Sequence, residues 1–211
     1  MVLTAFALVA LLASGMIGYG AARTWAHPRD GSAEAGFARD MQAHHAQAVE
    51  MALVIRDKTT DPTLRAISYD ILTTQQQQAG QMYGWLTQWG LPQTGSDPAM
   101  TWMGTPGSQP MTDMMHDASS AAPTDGPSPG RMPGMASAEE MAQFRAATGI
   151  AAERLFLTLM IKHHKGGVEM ADAILSRSDR PEVVALASAI QKAQTVESEQ
   201  LTTLLTERAG S

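Results

Sequence analysis

Two stretches of this chain carry the same chemistry-bearing residues at the same spacing. Phe37 to Ala52 reads FARDMQAHHAQAVEMA, and Phe156 to Ala171 reads FLTLMIKHHKGGVEMA. Each sets one Met ahead of a His-His pair and a second Met behind it: Met41, His44, His45 and Met51 in the first, Met160, His163, His164 and Met170 in the second. Four of the six histidines lie in these stretches. Imidazole nitrogen suits Zn, Cu, Fe and Ni, whereas thioether sulfur selects Cu(I) among the common metals. The chemistry indicated is capture of a soft cation.

On a helix of about 3.6 residues per turn, the spacing puts these side chains together. Phe37, Met41, His44, His45, Ala48, Met51, Ala52 and Ile55 share one face, with Glu50 opposite and Asp40 at the margin. In the second stretch Met160, His163, His164, Met170 and Ile174 share a face, and Gly167 takes the place of Ala48. A single buried His is ordinarily a hydrogen-bonded core residue, and a Met stripe is ordinarily packing. Two register-matched copies tip the balance toward ligands. Zinc has no preference for Met, and a di-iron centre on helices needs inward Glu and the Glu-x-x-His spacing, which does not occur here.

The elements that must carry these residues follow from the rest of the repeat. His44 and His163 are 119 positions apart, and the same offset pairs Pro62 with Pro181, Ile71 with Ile190 and Gln75 with Gln194. Each unit reads as a helical hairpin whose second helix begins with Pro at its first position, at Asp61-Pro62 and Arg180-Pro181. The second helices carry polar residues on apolar seams: Gln75, Gln78, Gln194 and Glu197. Buried polar groups need partners, and a metal-binding His donates its other ring nitrogen to an acceptor, so these four are expected to anchor the imidazoles, Glu197 foremost. Ser137 and Glu140 have capping-box spacing, predicting a shorter helix from there to about Gly149.

Between the hairpins the composition changes. Eight of the eleven prolines lie between Pro92 and Pro133, and the stretch from about Gln93 to Ala136 also holds Met100, Met103, Met111, Met114, Met115, Met132 and Met135. Met111, Met114, Met115 and His116 form a candidate auxiliary metal cluster. The expected fold class is all-α: a four-helix bundle of two repeated hairpins, preceded by an apolar helix and interrupted by a long Met/Gly/Pro-rich linker. The expected organisation is residues 1–26 as signal peptide or membrane anchor, 32–91 as first hairpin, 92–136 as flexible Met-rich linker, and 137–209 as short helix plus second hairpin, forming one bundle with 32–91.

Composition narrows the function classes. The 211 residues carry a net charge of −6 and show no basic run, which argues against nucleic acid as partner. There is no cysteine, so disulfides, thiolate metal sites and thiol catalysis are excluded, while Met numbers fifteen. A thioether survives as a ligand where a free thiol would be oxidised. Val2 to Ala22 is uncharged and long enough for a bilayer, which needs about 20 apolar residues. It is expected to direct export, either cleaved at Thr24-Trp25-Ala26 or kept as an anchor. The predicted location is periplasmic or extracellular, or anchored to the outer face of the cell membrane.

The pattern Phe-x-x-x-Met-x-x-His-His-x-x-x-x-x-Met-Ala, with Met132-Pro133-Gly134-Met135, Gly149 and Gln194-x-x-Glu197, resembles the family known as domain of unknown function 305. Some members are copper-binding proteins of the CopM type. The resemblance covers Gly36 to about Trp89 and Met132 to about Glu207. It implies a ferritin-like four-helix bundle, export, and binding of copper, Cu(I) before Cu(II) or Ag(I). By position it implies the ligands Met41, His44, His45, Met51, Met160, His163, His164 and Met170. Gln78 stands where the family has Glu, and Gly166-Gly167 where Gly-Ala is usual.

The expected function is extracytoplasmic copper binding for sequestration, tolerance or delivery. Its partners would be the metal ion, a copper-exporting or copper-accepting protein, and the membrane if the N-terminal segment is uncleaved. Binding requires no catalysis. The competing reading is a metal-dependent oxidoreductase, resembling a cuprous oxidase, and a third is a structural module whose histidines only satisfy buried Gln and Glu.

Overall fold

The protein is described by a computed structural model covering residues 27–104 and 132–209. Among these residues the regular structure is entirely helical. The long helices are α1 (Ala33–Lys58), α2 (Pro62–Gln88), α4 (Gly149–Leu175) and α5 (Pro181–Ala209), and α3 (Ala138–Ala146) is short. The expected N-terminal segment 1–26 and the cluster Met111, Met114, Met115 and His116 lie outside the described residues. No described helix is long and apolar enough to cross a membrane.

Local signals set the helix ends. Ser32 caps α1 by accepting from the Ala35 N–H, and Asp61 caps α2 by accepting from Leu64, with Pro62 as the first helical residue. Proline costs nothing there, because the first N–H groups of a helix have no intrahelical partner. Ser137 and Glu140 form the reciprocal capping box at the start of α3. Gly149 opens α4 with φ +54°, a left-handed conformation that favours glycine and turns the chain between α3 and α4.

Each hairpin packs its two helices side by side, and α1 packs against α4. Two apolar clusters give the directions. One joins Ala48 to Ile55 of α1 and Leu64 and Ile71 of α2 with Ala152 to Met160 of α4 and Leu201 and Leu204 of α5. The other joins Ala35 to Met41 of α1 and Met82 and Leu86 of α2 with Met170 to Ile174 of α4 and Val183 to Ile190 of α5. The end of α1 therefore meets the start of α4, and the hairpins run antiparallel, related by an approximate twofold across the helix axes. The histidine pairs lie in sequence between the residues of the two clusters, so they form a polar layer between two apolar ones.

The outer turns are locked by charged groups. Arg208, near the end of α5, donates to Glu153 of α4 at 2.7 Å and to Asp61 at 2.8 Å. Lys58 donates to the carbonyls of Arg145 and Ala147, holding the end of α3. Glu50, turned away from the histidines, pairs with Arg145.

Candidate metal centre

All four motif histidines are fully buried, as are Met41, Met51, Met160 and Met170. The rings of His44 and His163, counterparts in the repeat, lie face to face with centroids 3.7 Å apart and planes tilted by 32°. His163 and His164 are 6.4 Å apart by centroid. The methionines are shared between the clusters. Met41 and Met170 occupy one, Met51 and Met160 the other, so each hairpin places one thioether on either side of the imidazole layer.

Every Nε2 in the layer faces an oxygen. His44 Nε2 lies 3.0 Å from the Pro133 carbonyl, and His163 Nε2 lies 3.0 Å from the backbone carbonyl of His44. His45 Nε2 lies 2.8 Å from Gln78 Oε1, and His164 Nε2 lies 2.7 Å from Glu197 Oε2. Carbonyl and carboxylate oxygens only accept, so Nε2 carries the proton. In a neutral ring the lone pair then sits on Nδ1. All four Nδ1 atoms are buried and have no hydrogen-bond partner.

Burial keeps the His44, His45 and His163 rings from taking up a proton. It lowers the His44 ring to about 4, opposed by the hydrogen bond to Pro133, with His164 adding repulsion. It lowers His45 to about 3, helped by His44 and opposed by Gln78. His163 is held well below the usual imidazole range by burial first, and then by His44, His164 and His45. A charged ring in low dielectric loses its hydration without a compensating partner.

A strap not foreseen from helical spacing completes the layer. Residues Met132 to Ala136 cross α4, and the Pro133 carbonyl sits where a side chain at position 166 would be: a Cβ there would lie 2.1 Å from it. Gly134 has φ +73° and rests on the Lys162 carbonyl, so the strap needs glycine on both surfaces. Gln47 pins it by donating to the Ala136 carbonyl and accepting from the Ala136 N–H. The sequence signal was the coincidence of Met-Pro-Gly-Met with two adjacent glycines in a helix.

The anticipated anchors divide. Gln78 and Glu197 meet imidazoles, whereas Gln75 and Gln194 are buried with both side-chain polar atoms lacking a hydrogen-bond partner. Gln194 lies instead against Gly167. Asp40 is engaged elsewhere, accepting from Met100 N–H at 2.7 Å and Trp102 Nε1 at 2.8 Å. Trp102 packs on Phe37 and over Gly36, as a core anchor would. Among the described residues no group of three His, Cys, Asp or Glu is placed around one point.

The donor types, imidazole nitrogen in a layer between two Met-containing apolar clusters, fit a soft metal ion. No curated protein matches the sequence. Solved structures do. A DUF305 protein of Streptomyces coelicolor, provisionally described as secreted, is 41% identical with TM-score 0.71, covering 84% of this chain and 94% of that one. A DUF305 fragment from Deinococcus radiodurans is 32% identical with TM-score 0.64, covering 85% and 99%. CopM in its Cu(I)-bound form is 20% identical with TM-score 0.58, covering 83% and 96%, a likeness of fold. The family described as "Domain of unknown function (DUF305)" matches residues 34–205, and the chain belongs to it.

Proposed function

We propose that this protein binds copper outside the cytoplasm, as Cu(I) in preference to Cu(II), and sequesters it or hands it on. The two hairpins act as one ferritin-like four-helix bundle whose polar layer is the binding site. The ligands are His44, His45, His163 and His164 through Nδ1, with sulfur from Met41, Met51, Met160 and Met170. The observation that carries this reading is the set of four buried Nδ1 atoms with no partner. Buried polar atoms are almost always satisfied, and four unsatisfied lone pairs in one layer call for an electrophile. Neutral nitrogen and sulfur donors suit a monovalent soft ion, because little charge is available to compensate a harder one.

The likeness to CopM, solved with Cu(I), Cu(II) and Ag and without metal, supports the choice of ion. Export follows from the apolar N-terminal segment and agrees with the description of the Streptomyces relative. The test is titration of the purified protein with Cu(I) against a competing chelator while oxygen is monitored. Tight stoichiometric binding without oxygen consumption is expected, and it should disappear when His44, His45, His163 and His164 are all replaced by Ala. Steady oxygen consumption would instead favour the oxidoreductase. Unchanged binding in the four-Ala variant would remove the site assignment.

A further inference from the structure

The repeat places two rings in equivalent positions with unequal backing. His45 and His164 correspond, and so do their anchors, since each anchor lies 33 residues after its ring. The first anchor is the Gln78 amide and the second the Glu197 carboxylate. The other two rings are anchored by backbone carbonyls of Pro133 and His44. Glu197 is thus the one acidic group among the four anchors, and its side chain is only 20% exposed. A second difference accompanies the first. The space of a Cβ at position 167 is filled by Gln194 Oε1, 2.1 Å from it, whereas the matching residue of the first hairpin, Ala48, carries a methyl there.

We propose that the two hairpins form unequal half-sites for a soft monovalent cation, the His164–Glu197 half-site filling first and the His45–Gln78 half-site second. This rests on the copper-binding reading. Hydrogen bonding to a carboxylate makes the opposite ring nitrogen a stronger donor, and the carboxylate charge offsets that of the ion in a dry interior. An amide oxygen gives a weaker version of the first effect and none of the second. Replacing such an outer partner weakens metal affinity by about 10- to 100-fold, which sets the expected gap.

The test is titration of the metal-free full chain with Ag+, which undergoes no redox turnover, against a competing chelator. Assigned histidine ring signals are followed by NMR. In the parent, the His164 ring should respond before the His45 ring. Glu197→Gln should weaken the first step about 10- to 100-fold, and Gln78→Glu should strengthen the response at His45 by a similar factor. The double exchange should reverse the order. Gln78→Glu keeps the test decisive if Glu197→Gln proves poorly folded. Rings that respond together in the parent, or affinities indifferent to both single substitutions, would overturn the proposal while leaving copper binding intact. No Ag+ binding, or binding that survives loss of all four histidines, would instead refute the underlying reading.

Discussion

The Nε2 of His163 lies 3.0 Å from the backbone carbonyl of His44, its counterpart in the other repeat. A carbonyl oxygen has two lone pairs, so one can serve α1 while the second accepts from the ring. The reverse bond does not form, because the His44 ring turns to Pro133 instead. The hairpins are thereby joined through a polar contact that breaks their symmetry at the centre of the layer. The strap takes the place that a symmetric partner would have held.

That strap makes Gly166 and Gly84 opposite in their response to Ala. At Gly166 a Cβ would lie 2.1 Å from the Pro133 carbonyl, a backbone atom that cannot swing aside. Gly166→Ala is expected to displace the strap, free the His44 Nε2 and lower stability by roughly 1–3 kcal/mol. Gly84 is exposed on α2 with nothing within 4 Å of its Cβ position. Gly84→Ala should raise stability by about 0.4–1 kcal/mol, through the helix and the unfolded chain. Urea denaturation of both variants checks the pair. Equal effects would mean that the strap does not sit on α4.

The depressed proton affinities of the buried rings predict acid sensitivity of the metal-free protein. His44, at about 4, and His45, at about 3, protonate in the folded state only well below the ordinary 6.5, and His163 behaves likewise. The unfolded chain therefore binds more protons once pH falls below about 6.5, and stability declines from there until each folded ring also protonates. Each ring contributes a slope of up to about 1.4 kcal/mol per pH unit within its window. Glu140, lowered from 4.5 mainly by the Ser137 N–H, acts only further down, and Asp40, raised by burial, works in the opposite sense, so a fall in stability below pH 6.5 comes from the histidines. Denaturant midpoints at pH 7.5, 6 and 5 should fall progressively, and less steeply in His163→Phe. A flat profile would mean that the rings are not sealed from water.

The parts of this architecture that depend on local chemistry could be read from the chain. Asp61-Pro62, the Ser137–Glu140 box and the 119-residue offset announce the helix starts and the repeat. The inward direction of His44, His45, His163 and His164 follows from their spacing with Met and Ile. The contact of His164 with Glu197 was within reach because a seam carboxylate has few other partners. Gln75 and Gln194 show where such reasoning stops. They sit on the same seam, but their distance from a ring depends on how closely α1 and α4 approach their neighbours. The bond from His44 to Pro133 was hidden for a further reason, because it joins residues 89 positions apart through a segment with no periodicity. Segments 1–26 and 105–131, with the Met111–His116 cluster, fall outside the described residues.

Arg208 offers a test of how charged groups lock the helices away from the layer. Its side chain is 8% exposed and bridges Glu153, 13% exposed, and Asp61, 35% exposed. Removing one partner of a fully buried pair costs about 3–5 kcal/mol, largely from the charge left behind. The partial exposure of Asp61 reduces this, and Arg208→Met is expected to cost roughly 2–3 kcal/mol. Adding Glu153→Gln should recover part of the loss, because it removes the stranded charge. Thermal or urea unfolding of the single and double variants measures the coupling. Strict additivity would show that the pair does not interact.

The same burial that makes the apo protein acid-sensitive should make its metal site acid-tolerant. An exposed imidazole of ordinary affinity is about nine-tenths protonated at pH 5.5 and loses about tenfold in metal affinity relative to pH 7.5. His44 and His45, at about 4 and about 3, remain neutral at pH 5.5 with Nδ1 open, and burial depresses His163 in the same direction. His164→Ala leaves these three rings as the only motif imidazoles. In that variant the apparent Ag+ affinity, measured against a chelator corrected for its own protonation, should change less than about threefold between pH 7.5 and 5.5. A tenfold loss would mean that metal reaches the rings only after the layer has opened to water, since opening restores the ordinary proton competition. The pH dependence of binding thus reports whether the ion enters a layer that stays closed or one that must first come apart.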